Sequence, residues 1–81
     1  ADLVMQAAHL LWGLIRGQPF IDGNKRIASV VAEGFLAANG WRIVATEDEK
    51  FSLLINVAKH QLTVDQIAEW IREHLEVYDS E

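Results

Sequence analysis

Between positions 18 and 26 the chain reads Gln18-Pro19-Phe20-Ile21-Asp22-Gly23-Asn24-Lys25-Arg26. From Asp22 to Arg26 a carboxylate, a glycine, an amide and two cations stand side by side, where one strongly apolar helical segment ends and another begins. The first turn of a helix leaves backbone N–H groups without partners, and the helix dipole favours negative charge there. A glycine that lets the backbone approach a phosphate, feeding such a turn, makes an anion site. Gly23 permits that approach, Asn24 can cap the helix or bond a ribose or phosphate, and Arg26 can fork onto phosphate oxygens. Asp22 offers the oxygen donor that a phosphate-bridging Mg²⁺ takes. Phe20 is expected to anchor the loop in the core, with Ile21 assisting. The tetrapeptide alone is ambiguous, since Asp-Gly-Asn is also ordinary turn chemistry and Lys-Arg at a helix start is often a solvated face.

The elements that must position this loop can be read on either side of it. Leu3 to Ile15 is apolar on nearly every side, the mark of a buried helix. Gly17 and Pro19 bracket its end, because glycine ends helices readily and proline cannot continue one. Asn24 to Asn39 reads as a second helix, with Ile27, Val30, Val31, Phe35 and Ala38 at helical spacing. Ala28 and Ala32 form a second, small-residue face that lets another helix approach closely. Asn39-Gly40 closes the helix, and Trp41 to Ala45 is extended, as a strand or a connector. Thr46 with Glu49 and Thr63 with Gln66 have capping-box spacing. The first predicts a helix with Phe51, Leu54, Ile55 and Ala58 inward, ending near Lys59-His60. The second opens a final helix with the stripe Val64, Ile67, Ala68, Ile71 and Leu75. The expected fold is all-α, a compact bundle of four helices, and residues 1–81 read as a single domain.

The chain has 81 residues, no cysteine and a net charge of −5. A chain this short buries only about 60–65% of its unfolded surface, so its stability is modest. The missing cysteine fits a reducing cytoplasm. An acidic balance with only Lys25 and Arg26 adjacent argues against nucleic acid, which needs clustered cations. No apolar run approaches the ~20 residues that span a bilayer. The start Ala1-Asp2-Leu3-Val4 lacks the pattern of a secretory signal and is already helical in character, so it is read as a processed or trimmed end. With 51% hydrophobic residues in so short a chain, cover is expected from more of the same polypeptide, a partner, or a second copy in a homo-oligomer.

Gln18 to Arg26, followed by Ala28 and by Phe35-Leu36-Ala37-Ala38-Asn39-Gly40, resembles the core of the Fic/Doc (Fido) family. The family signature reads His-Pro-Phe-x-Asp/Glu-Gly-Asn-Lys/Gly-Arg. The Lys25 form, with Ala28 and the later Asn-Gly, is most similar to the death-on-curing (Doc) toxin branch. The resemblance implies a helical fold, of which this chain is the C-terminal part, that transfers part of a nucleotide triphosphate to a protein hydroxyl. In Fic proteins this is usually AMP; in Doc it is a phosphoryl group placed on a translation elongation factor. It also implies Mg²⁺ with ATP or another nucleotide triphosphate, an antitoxin or missing N-terminal segment as partner, and a cytoplasmic location. By position, Asp22 would bind the metal, Gly23, Asn24 and Lys25 would form the anion hole, and Arg26 would clamp a phosphate.

Three departures qualify the resemblance. Gln18 stands where the family has its base histidine, and a carboxamide can orient a hydroxyl but not accept its proton. Loss of a general base costs typically ~10²–10⁴ in rate. The family's N-terminal helices and target-groove flap are missing from the pattern. Ser29 replaces a further phosphate-binding Arg of many adenylylating members, which favours the Doc branch. Ser29 to Gly34 matches the family's inhibitory-helix pattern, but it lies inside the helix after the loop, where Glu33 cannot approach as a separate helix would; the match reads as coincidence.

His9, His60 and His74 share no ligand spacing. His9 is expected in or near the core, and His60 at a helix end. Trp12, Trp41 and Trp70 read as packing anchors. Two functional readings follow: a Doc-like toxin weakened or silenced at Gln18, or a catalytically silent Fic-fold module that binds a nucleotide or an antitoxin-like partner.

Overall fold

A computed structural model describes residues 2–16 and 22–78, and the side chains of 22–25 lie outside that description. The order is α1 (Leu3–Arg16), α2 (Asp22–Ala38), β1 (Trp41–Ile43), α3 (Glu47–Ala58), α4 (Val64–Glu73) and β2 (Leu75–Val77). The architecture is all-α, as expected, with one small two-stranded ladder added. Trp41 to Ile43 is a strand, antiparallel to β2, with Trp41 opposite Val77 and Ile43 opposite Leu75.

Helix ends are set by local chemistry. Thr46 and Thr63 each accept from the backbone N–H three residues on, while Glu49 and Gln66 reach back to the threonine amides, completing both boxes. Asp2 takes the same part for α1, its carboxylate accepting from Val4 N–H at 3.0 Å. The other oxygen accepts from Arg72 at 2.8 Å, tying the start of α1 to α4. After α2, Gly40 adopts φ +88°, a left-handed turn that glycine takes without Cβ strain. After α3 the same bend falls on His60 at φ +61°. His60 N–H bonds Val57 and Gln61 N–H bonds Asn56, the two bonds of a Schellman cap.

The core is one cluster. Val4, Ala7, Ala8, Leu11 and Ile15 of α1 meet Ala28, Ala32 and Leu36 of α2, Leu53, Leu54, Val57 and Ala58 of α3, and Ile67, Ala68 and Ile71 of α4. Burying each large side chain contributes roughly 1.5–3 kcal/mol before chain entropy is subtracted. The three tryptophans are half-buried against this cluster, as packing anchors should be.

Four expectations are corrected. The small-residue face of α2 does receive another helix, α1, but it is also the side α2 buries; Ile27 and Val30, expected inward, are 57% and 65% exposed. Because α2 is apolar on both faces, periodicity alone could not choose, and the alanines of α1 select the alanine face. Phe51 is 61% exposed, since α3 buries the rows Leu53/Val57 and Leu54/Ala58 instead. His9 is exposed on the side of α1 turned from the cluster. Leu75 belongs to β2, because α4 stops at Glu73 and His74 caps it; Leu75 still packs on the core, from a strand.

Candidate functional site

The helix after the signature loop opens at Asp22, two residues before the expected Asn24. Gly23, Asn24 and Lys25 therefore lie in the first turn, with Asp22 at its head. The N–H groups of such a turn have no intrahelical partner and point out along the axis. Gln18, Phe20 and Ile21 fall outside the described residues, as do the side chains of Asp22, Asn24 and Lys25. Arg26 is the signature residue whose side chain is described. It is exposed and has no ion-pair partner among the described residues.

Arg26 stands at a groove of about 740 Å³ between α2 and α3. Val30, Phe51, Leu54 and Ile55 make its apolar lining, and Ser29, Glu33 and Lys50 a polar ledge. Ser29 Oγ donates to Glu33 Oε2 at 2.8 Å, and Lys50 Nζ donates to Glu33 Oε1 at 3.0 Å. Lys50 and Glu33 are partly shielded, so their pair is firmer than a surface one, and it straps α3 to α2. Glu33 lies within α2, two turns beyond Arg26 and about 10 Å along the axis at 1.5 Å per residue. Both of its oxygens are already engaged.

Sequence reasoning missed Lys50 and Phe51 as groove residues. Phe51 had been assigned to the core by its place in a helical stripe. Lys50 pairs with a residue 17 positions away, which no local pattern reports. A second cluster was missed as well. The His74 ring stacks on Trp70 at 4.0 Å, with Nδ1 2.7 Å from the Trp70 carbonyl oxygen and Nε2 3.8 Å from Glu49 Oε2. Glu49 has a lowered pKa, chiefly because its carboxylate accepts the Thr46 backbone N–H, and secondarily from the Thr46 hydroxyl and His74. Asp2 is lowered mainly by Arg72, then by the amides it caps. No group of His, Asp and Glu able to hold a metal occurs among the described residues. None of their helices is long and apolar enough to cross a membrane.

Against known families, residues 1–36 match the model of the Fic/DOC family. That stretch takes in α1, the signature loop and α2 as far as Leu36, so Asp22 to Arg26 and the α2 side of the groove fall inside the matched segment and the α3 side falls outside it. Comparison with curated proteins and with solved structures gave no match.

Proposed function

We propose that the chain is the C-terminal part of a Fic/Doc-type domain, nearest the Doc branch, which binds a nucleotide triphosphate at the N-terminus of α2. The observation that supports this best is the helix opening at Asp22, inside the family-matched segment, with Arg26 one turn on at the mouth of a groove. The first-turn amides take phosphate oxygens, Lys25 and Arg26 neutralise them, and the groove is roomy enough for a nucleoside, ligand sites commonly measuring about 300–1,000 Å³. A single carboxylate, Asp22, beside phosphate oxygens suits Mg²⁺, which usually keeps several waters and takes one or two carboxylates. Asp22 would hold the ion, which when bound would supply neutralisation of phosphate charge. In the transfer, the oxygen of a protein hydroxyl bonds to phosphorus. Either the bond to pyrophosphate breaks, leaving AMP on the target, or the bond to ADP breaks, leaving a phosphoryl group. A translation factor is the target type the Doc-like features favour, and a cytoplasmic location goes with it.

The hydroxyl must also lose its proton. Gln18 can accept a hydrogen bond from the hydroxyl and orient it, but its carboxamide cannot take the proton at neutral pH. The expected activity is therefore lower by about 10²–10⁴ than with a base in that place. Gln18 equally favours a second reading, a silent module that holds a nucleotide or an antitoxin-like partner through the same loop. Labelling of lysate proteins by radiolabelled ATP, with and without Gln18→His, separates the two. Gain of labelling with Gln18→His supports the enzyme. Nucleotide binding without labelling by either form supports the module. A folded sample that binds no Mg²⁺-ATP by calorimetry refutes the enzyme and counts against the module.

A further inference from the structure

We infer that the Lys50–Glu33 pair is a clasp that holds the groove between α2 and α3 at one width, and that a ligand's grip on the groove depends on the clasp being shut. Each of the two helices takes its main support elsewhere. α2 packs on α1 and β1, while α3 packs on α1 and turns Leu53, Leu54, Val57 and Ala58 into the core. The groove is the space left between them. Across it, the bond from Lys50 Nζ to Glu33 Oε1 at 3.0 Å is the one hydrogen bond that joins α3 to α2 among the described residues. On the α2 side the carboxylate is held in advance. Ser29 stands one turn ahead of Glu33, and its Oγ donates to Oε2 at 2.8 Å, which leaves the other oxygen for Lys50. With that rotor already fixed, less side-chain entropy opposes the pair than opposes two unrestrained surface chains.

Ser29, Glu33 and Lys50 line a second space as well, a cavity of about 20 Å³ on the inner side, whose other walls include Leu11, Ile43 and Trp70. The clasp is therefore the floor of the groove and the roof of a small void in the core. Opening it would join the two spaces and let α3 draw away from α2. Width matters because the apolar walls come from different helices, Val30 from α2 and Phe51 and Ile55 from α3. A flat ring gains from both walls only while both stay at contact distance. A gap of about 0.5–1 Å forfeits roughly a quarter to a half of the dispersion attraction on that side. Glu33 lies about 10 Å along α2 from Arg26, so the clasp acts on the part of a ligand beyond its phosphates. The identity of that ligand rests on the nucleotide reading above, whereas the clasp itself does not. Lys50 and Glu33 are positioning residues, since neither is placed at the transferred phosphate.

The chain has no cysteine, so spin labels can be placed at chosen positions. Val31→Cys and Ser52→Cys put one label on an exposed position of each helix, and pulsed electron paramagnetic resonance reads the distance between them. The parent pair is expected to give one narrow distribution. Lys50→Met and, separately, Glu33→Gln should give a broader and longer one, while circular dichroism keeps the helical content of all forms. Glu33→Lys combined with Lys50→Glu should restore the narrow distribution, because it restores the pairing and the Ser29 hydroxyl can accept as well as donate. Calorimetry reads the ligand side. Lys50→Met should weaken Mg²⁺-ATP binding several-fold and leave Mg²⁺-tripolyphosphate, which has no nucleoside to fill the groove, unchanged. A distribution that neither single variant moves overturns the clasp, and so does a shift that the exchanged pair fails to reverse. Equal losses of ATP and tripolyphosphate overturn its hold on the nucleoside end. A parent chain that binds neither ligand refutes the nucleotide reading, and the distances still decide the clasp.

Discussion

Ala32→Leu should be among the most disruptive single changes in this protein, while Val30→Ser, two positions away on the same helix, should scarcely register. Ala32 is 2% exposed and joins Ala28, Ala7 and Ala8 in the cluster where α1 and α2 meet. The cavity beside Ala32, about 20 Å³ and lined also by Leu11, Leu53 and Ile71, is too small for three added carbons, and overpacking of this kind costs typically 1–3 kcal/mol. A chain of 81 residues has a total stability of about 4–12 kcal/mol at 0.05–0.15 kcal/mol per residue. A urea slope near ~1 kcal/mol/M then converts the loss into a midpoint lower by roughly 1–3 M. Val30 is 65% exposed, and a surface change of that sort stays within about 0.5 kcal/mol. Urea titrations of both variants give the comparison. A neutral Ala32→Leu beside a costly Val30→Ser would mean that α2 is rotated about its axis. The core described above would then be wrong.

Three other outcomes are expected. Arg26→Ala should weaken Mg²⁺-ATP binding by about 10- to 100-fold in calorimetry, the worth of a charged hydrogen bond of roughly 1.5–3 kcal/mol, with no loss of thermal stability. Thr63→Ala removes the hydroxyl that caps α4 and should lower stability by about 1 kcal/mol, seen as a melting temperature about 4–8 °C lower; Thr63→Ser should restore most of it. Glu49 and Asp2 have folded pKa values below their usual 4.5 and 3.8, so their stabilisation is complete above those values and is lost as pH falls through the lowered ones. Acid titration of Glu49→Gln followed by circular dichroism should accordingly show a shallower loss of stability below pH 4.5 than the parent chain.

The features legible in the sequence were those whose cause is local. A threonine and a carboxylate or amide three residues apart announce a helix start, and both capping boxes formed as read. Asn39-Gly40 announced a left-handed bend, and Gly40 makes it. The signature from Asp22 to Arg26 was legible for the same reason, being contiguous. What stayed hidden depends on the partner an element meets. Ile27, Val30, Val31 and the alanines of α2 all lie at helical spacing, and only the packing of α1 decides which go inward. Leu75 continues the α4 stripe at the right interval, yet it is taken by a ladder whose other strand lies more than 30 residues earlier. Lys50 reached the groove through a pairing with Glu33 that neither helix advertises alone.

The ladder between β1 and β2 makes the stretch from Val44 to His74 a single excursion that departs and returns at one place. Val44 N–H closes on the His74 carbonyl at 2.7 Å, and Tyr78 N–H on Gly40 at 2.9 Å, so the seal extends past both strands. Cinching some thirty residues costs about 3 kcal/mol of loop entropy, which leaves three rungs worth about 1 kcal/mol each with no surplus. α3 and α4 must therefore settle against α1 before the latch shuts. On the ribosome β2 emerges after every other described element, and until it does Trp41 and Ile43 stand uncovered. A nascent chain stalled short of Leu75 should consequently be helical, sticky and easily cut near Val44.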